Sequence, residues 1–386
     1  MTQLIDNATL ITPSGTLTKG WLLLDKGRIA VIGEHHPPPA DDYLNGRGDE
    51  GWVVLPGYID IHVHGSIGCD TMNGTPEALA ALSTFFASKG VTGWLATTVT
   101  NSDAATHRAL ENVAAHMGKR MPGAAVLGAH LEGPYINMKA KGAQNGAFVR
   151  PADPAEYERW LATGAIRLTT VAPEIEANRA FIRACLERGI VVSIGHTQAT
   201  YEEALAAFDM GISHATHTFN AMTPLHHRKP GVVGAVLTDP RITCEIIPDL
   251  FHVHGAMVSL VAAAKGSDQV ALITDAIAGA GMSDGIYDLG GQAVTVRNGE
   301  ATLADGTLAG SIVTMDQAVR NARAVTGLDW TTISRMASAT PARQAGYGGQ
   351  KGMIRVDYDA DLILLDSHGE IQITIVGGNV VYQRKS

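Results

Sequence analysis

Ile194-Gly195-His196-Thr197 runs through Gln198-Ala199-Thr200 into Tyr201-Glu202-Glu203-Ala204-Leu205-Ala206-Ala207-Phe208-Asp209. The first stretch reads as the carboxyl end of a short apolar strand and the Ala- and Leu-rich stretch as a helix. Repetition of this unit decides the fold. In both directions, apolar or β-branched runs alternate with helical segments such as Pro76 to Lys89, and strands are expected to end near His64, Thr98, Leu131, Val171, Gly195, His217, Ile247 and Asp275. Eight strand–helix units over roughly 290 residues match an α/β fold of the (β/α)8 TIM-barrel type, where chemistry sits at the carboxyl ends of the strands. A doubly wound open sheet is the rival, but no GxGxxG follows a first strand.

The flanks have another rhythm. Leu22-Leu23-Leu24, Asp25-Lys26-Gly27 and Ile29 to Gly33 read as strand, turn and strand, and so do Ile371 to Val376, Gly377-Gly378-Asn379 and Val380-Val381-Tyr382 after the run Asp361 to Asp366. One small β-domain assembled from both termini, residues 1–55 plus 346–386, is expected beside a catalytic barrel of residues 56–345. Pro37-Pro38-Pro39 reads as an exposed loop within it.

Composition narrows the function. Of 386 residues, 45% are hydrophobic and 17% charged, enough apolar material for a sizeable core. The formal net charge of −9, with no basic run, argues against nucleic-acid or anionic-membrane partners. Cys69, Cys185 and Cys244 are odd in number and lack CxxC spacing, which argues against a disulfide framework and a thiolate zinc site. The amino terminus lacks a basic segment followed by an apolar one, and no apolar run approaches about 18 residues. A soluble, cytoplasmic protein is expected.

The polar residues at the expected strand ends carry the chemistry. Asp60-Ile61-His62-Val63-His64 ends the first strand, and alternation turns both histidines the same way. His130-Leu131-Glu132-Gly133-Pro134 ends the third, Gly195-His196 the fifth, Thr216-His217 the sixth and Thr274-Asp275 the eighth. Taken singly, HxH in a strand is often packing, Glu-Gly-Pro a turn, and Asp after a strand a helix cap. Together, Glu132, His196 and His217 form an N/N/O set that leaves positions for water, as catalytic rather than structural metal sites do. A divalent ion lowers the pKa of a coordinated water from about 16 to about 7 and polarises carbonyls. Asp275 beside that water suits a general base that later passes the proton to a leaving nitrogen. His35, His36, His107, His116 and His368 read as surface residues.

These stretches resemble the amidohydrolase superfamily and, within it, the N-acetylglucosamine-6-phosphate deacetylase family. The resemblance rests on Pro56 to Gly65, His130 to Pro134, Ile194 to Thr197, Thr216 to Arg228, Thr274 to Ala276 and Thr307 to Ser311, and so spans almost the whole chain. It implies a barrel carrying a β-sandwich built from both termini, and removal of acetate from an N-acetylhexosamine 6-phosphate. It places the metal on Glu132, His196 and His217 and the base on Asp275. His62 and His64 add a second metal position sharing Glu132, so one or two divalent ions are implied, zinc first, with iron, manganese or cobalt as alternatives. Sugar and phosphate contacts fall on Ala143, Asn220, Ala221, Arg228, His252 and the Leu308-Ala309-Gly310 turn, with Arg228 offered to a neighbouring subunit of a homodimer. The forked donors of an arginine suit a phosphate dianion. Pro248-Asp249-Leu250-Phe251 and Lys229 depart from the family pattern. N-acetylgalactosamine 6-phosphate is the alternative substrate; an N-acyl-amino-acid hydrolase and a non-catalytic scaffold are the more distant readings.

Overall fold

The computed structural model describes residues 2–385. Tyr58–Val63 (β1), Val91–Thr97 (β2), Ala125–Glu132 (β3), Ile166–Val171 (β4), Val191–Ile194 (β5), His214–Ala215 (β6), Thr243–Ile246 (β7) and Val270–Leu272 (β8) pair side by side in chain order, all parallel. The barrel's seam lies between β8 and β1. There His62 O accepts from Asp275 N at 2.8 Å and Ala276 O from His64 N at 2.9 Å. Asp60 Oδ2 accepts from Thr274 Oγ1 at 2.6 Å on the same seam. The residues that bring the first and last strands together are therefore neighbours of the HxH pair and of Asp275.

Alternation sorts the strand side chains. Ile59, Ile61, Leu95, Leu127, Leu168, Ala271 and Ile273 share one buried cluster, while Trp94, Val126, Leu131 and Val192 pack with the helices in another. Packed apolar side chains fill much of a barrel interior. The helix Tyr201–Asp209 starts where the sequence predicts, because Thr200 and Glu203 form a reciprocal capping box. Pro76–Ala87 begins with proline in its first turn behind the Thr75 cap and stops two residues short of Lys89, ahead of Gly90 at φ 78°.

The terminal strands Thr2–Thr12, Gly15–Asp25, Arg28–Glu34, Asp42–Asn45 and Val53–Pro56 join Leu362–Leu365, Ile371–Val376 and Asn379–Gln383 in one eight-stranded sheet. Gly27 O accepts from Ala360 N at 2.8 Å, which curls the far edge back toward the carboxyl-terminal strands. Ile5, Leu10, Leu22, Ile29, Leu362 and Ile375 then share one apolar cluster. A three-stranded sheet, Gly285–Leu289, Gln292–Arg297 and Glu300–Thr302, follows β8 and is absent from the sequence reading. Its turns carry Gly290-Gly291 and Asn298-Gly299, pairs that favour tight hairpins.

Candidate active site

Three residues at the barrel mouth adopt left-handed backbone conformations. His196, His217 and Asp275, just beyond β5, β6 and β8, have φ of 47°, 29° and 50°. Such conformations cost on the order of 1–3 kcal/mol for non-glycine residues and persist only where surroundings impose them. Here Asn137 N donates to His196 O at 2.9 Å, Ser311 N to Asp275 O at 2.7 Å and Thr218 N to Glu245 O at 2.9 Å. The turn swings each side chain off its strand and into the mouth.

Their atoms converge. Glu132 Oε1 lies 3.1 Å from His196 Nε2 and 3.2 Å from His217 Nε2, and the two nitrogens are 3.1 Å apart. Bonds of about 2 Å in a tetrahedral zinc site give ligand–ligand edges of about 3.3 Å, so these spacings fit a small divalent cation. The same carboxylate serves a second set through both of its oxygens. His64 Nε2 is 3.3 Å from Glu132 Oε2 and 3.2 Å from Asp275 Oδ1; His62 Nε2 is 3.5 Å from Glu132 Oε1 and 3.3 Å from Asp275 Oδ1. His62 Nε2 has no hydrogen-bond partner although it is buried. Glu132 thus belongs to two adjoining groups that could each hold an ion.

The electrostatics agree with that reading. Burial opposes charge on His62, His64, Glu132 and Asp275, yet mutual attraction outweighs it. His62 is held well above the ordinary imidazole range by Asp275, Glu245 and Glu132, and His64 is raised to about 10 by Asp275 and Glu132. Glu132 is held well below the carboxylate range by His62, His196 and His217, and Asp275 is lowered by His62 and His64. The carboxylates demand positive charge at the centre, which protons or a bound cation can supply.

A cavity of about 390 Å³ opens above this cluster. His64, Glu132, His196, His217 and Asp275 line it together with Ala143, Asn220, Ala221, His252, Leu308 and Gly310. Ala309 is fully buried with its N–H on Ala301 O, and His62 lies beneath the floor. Arg228 is exposed, outside the lining of its own chain's cavity, with Nη1 2.9 Å from His227 Nε2. Asp249, in the atypical segment, caps the loop by accepting from the N–H groups of Phe251 and His252 and pairs with His252 Nδ1 at 2.7 Å. Leu250 occupies φ 70° in that loop.

Two participants escaped the sequence reading. Gln144 donates from Nε2 to Glu132 Oε2 at 2.6 Å, and its orientation is set because Oε1 accepts from Thr100 N at 2.7 Å. Glu245, in β7, accepts from His62 Nδ1 at 2.9 Å and His214 Nε2 at 3.0 Å. A charged residue between Cys244 and Ile246 in an otherwise apolar strand was the available signal.

Comparison with known proteins bears on this geometry. The Amidohydrolase family model matches residues 53–381. An N-acetylglucosamine-6-phosphate deacetylase from Bacillus subtilis (strain 168) is 38% identical over 388 residues, covering 99% of this chain and 98% of its own. An N-acetylgalactosamine-6-phosphate deacetylase from Escherichia coli O157:H7 is also 38% identical, covering 98% of this chain and 99% of its own. Among solved structures, a mutant N-acetyl-D-glucosamine-6-phosphate deacetylase from Mycobacterium smegmatis in complex with N-acetyl-D-glucosamine-6-phosphate superposes with a TM-score of 0.91 at 33% identity, covering 99% of each chain. With that match over nearly its whole length, and with the strand-end cluster in place, the chain belongs to the amidohydrolase family, in the group that contains the N-acetylglucosamine-6-phosphate deacetylases.

Proposed function

We propose that this protein hydrolyses the acetamide of N-acetyl-D-glucosamine 6-phosphate, releasing acetate and D-glucosamine 6-phosphate. The observation that carries the reading is the 38% identity to the Bacillus subtilis enzyme over 99% of the chain. The Glu132–His196–His217 cluster beside Asp275 supports it with chemistry suited to amide cleavage.

Glu132, His196 and His217 would hold one divalent ion, and His62, His64 and Glu132 would supply donors for a second. Zinc is the first candidate, ahead of iron, manganese and cobalt, since imidazole and carboxylate suit them all. When bound, such an ion supplies Lewis acidity that acidifies water and polarises the acetyl carbonyl. Asp275 takes the proton as the water oxygen bonds to the carbonyl carbon. It returns that proton to the amide nitrogen as the C–N bond breaks, so the amine leaves neutral. His252, steadied by Asp249, faces the cavity as a phosphate partner, as does Arg228 of one copy reaching the cavity of the other in a homodimer. Asn220, Ala221, Ala143 and the Leu308-Ala309-Gly310 turn surround the sugar. We place the small terminal domain at residues 1–55 plus 346–386 and the enzyme in the cytoplasm; no helix among the described residues is long and apolar enough to cross a membrane.

The Escherichia coli relative, equally similar, favours a second reading in which the substrate is the galacto epimer. Acetate release from both epimers, with unphosphorylated controls, separates the two. Arg228→Ala should raise KM for the phosphorylated sugar about 10- to 100-fold, the range of a lost charge-assisted hydrogen bond, and spare the unphosphorylated one. Equal losses on both sugars would remove its phosphate role.

A further inference from the structure

Glu245 is fully buried in β7 among Cys244, Ile246 and Ile247, where an apolar side chain would avoid the desolvation of a carboxylate. Three N–H donors surround it. Oε2 accepts from His62 Nδ1 at 2.9 Å and from His217 N at 3.1 Å, and Oε1 accepts from His214 Nε2 at 3.0 Å.

A carboxylate surrounded by the His217 backbone N–H and two imidazole nitrogens serves as their common acceptor, which puts a proton on Nδ1 of His62. In the neutral ring this leaves the Nε2 lone pair toward Glu132 and Asp275. The opposite tautomer would point an N–H at the centre and could not ligate. The same oxygen that fixes this ring also holds the backbone N–H of His217 at its left-handed turn. One atom of β7 therefore ties the HxH half of the site to the Glu132–His196–His217 half.

We propose that Glu245 is a positioning residue that sets the tautomer and orientation of His62 for metal ligation while anchoring the His217 turn. This rests on the reading of the cluster as a metal centre. Partners of this kind typically contribute about 10- to 100-fold in metal affinity.

Zinc retained across a chelator series, measured by elemental analysis of the zinc-loaded full chain, tests it. Glu245→Leu should weaken retention of one ion about 10- to 100-fold. The Glu245→Leu/His62→Ala double variant should lose less than the sum of the two single losses, because part of the effect of Glu245 passes through His62 and the rest through the His217 turn. Glu245→Gln, which keeps one acceptor oxygen, should recover most of the loss. Wild-type retention in Glu245→Leu, or losses that simply add in the double variant, overturns the inference alone. A wild type that retains no zinc overturns the metal-centre reading and the inference with it. Should Glu245→Leu not fold, 15N imidazole shifts of the zinc-loaded wild type decide: a protonated Nδ1 and ligated Nε2 on His62 support the assignment, and the reverse pattern overturns it.

Discussion

In the proposed reaction Asp275 concentrates the chemistry of the site in one carboxylate. Its Oδ1 lies within 3.3 Å of both HxH imidazoles, and its backbone N–H and carbonyl close the barrel seam to His62 and Ser311. Asparagine keeps its shape and backbone but cannot take a proton from water. Asp275→Asn should therefore cost about 10²- to 10⁴-fold in turnover, the span of a general base. An ion held by Glu132, His196 and His217 should remain, since Asp275 contributes no atom to that triad. Acetate release together with zinc per chain checks both halves. Near-wild-type turnover would remove the base assignment, and loss of all zinc would show that Asp275 acts as a ligand there.

The elements explain which residues the sequence revealed. His62, His64, Glu132, His196, His217 and Asp275 could be picked out because each is a polar residue ending an apolar run, and the periodicity places that end. Glu245 could not be assigned a role in this way, since its meaning lies in contact with His62, 183 positions away. Gln144 likewise gains its role from Thr100 and Glu132 across separate loops. The hairpins between Gly285 and Thr302 lie outside the strand–helix rhythm of the barrel, and their short strands are marked in the sequence only by glycine turns. Local signals hold best in the helix Tyr201–Asp209, where Thr200 Oγ1 accepts from Glu203 N at 3.2 Å and Glu203 returns the bond to Thr200 N at 2.8 Å. Thr200→Ala should lower stability by about 1 kcal/mol, the usual contribution of such a cap. Chemical denaturation would read this as a lower unfolding midpoint. Zinc retention should stay close to wild type because Asn137 N and Ala140 O hold His196 independently of the helix. A large loss of zinc would show that the cap also fixes the ligand.

At the scale of the molecule, the two chain ends meet where the barrel begins. Leu362–Leu365 pairs with Val53–Pro56, and Asp361 O accepts from Gly57 N at 2.9 Å one residue before β1. The charge at this junction is balanced by one buried ammonium: Lys351 Nζ lies 2.7 Å from Asp361 Oδ2 and 2.8 Å from Asp359 Oδ2. Asp361 Oδ1 also accepts from Gly377 N at 2.8 Å, so the cluster ties the carboxyl-terminal hairpin to the barrel entrance. Burial lifts the Asp361 carboxyl despite Lys351, so that acid gains little from its ionised form. The ammonium gains more: burial pulls Lys351 down, but Asp361 and Asp359 together hold it above its ordinary 10.5. A raised lysine pKa means the folded state binds the proton more tightly than the unfolded chain. The resulting stability is complete below about pH 10.5 and is lost as pH rises through the folded value. Lys351→Met removes the cation and leaves the buried Asp361 carboxylate without its charge partner, a change that typically costs about 3–5 kcal/mol. We expect thermal unfolding of Lys351→Met well below wild type at neutral pH, with the gap steady to about pH 9 and closing above about pH 10.5. Zinc retention in the folded variant should be unchanged, because the cluster sits at the amino-terminal entrance of β1 and the ligands at its other end. A gap that is absent at neutral pH, or that does not narrow in alkali, would remove Lys351 as the group that balances this junction.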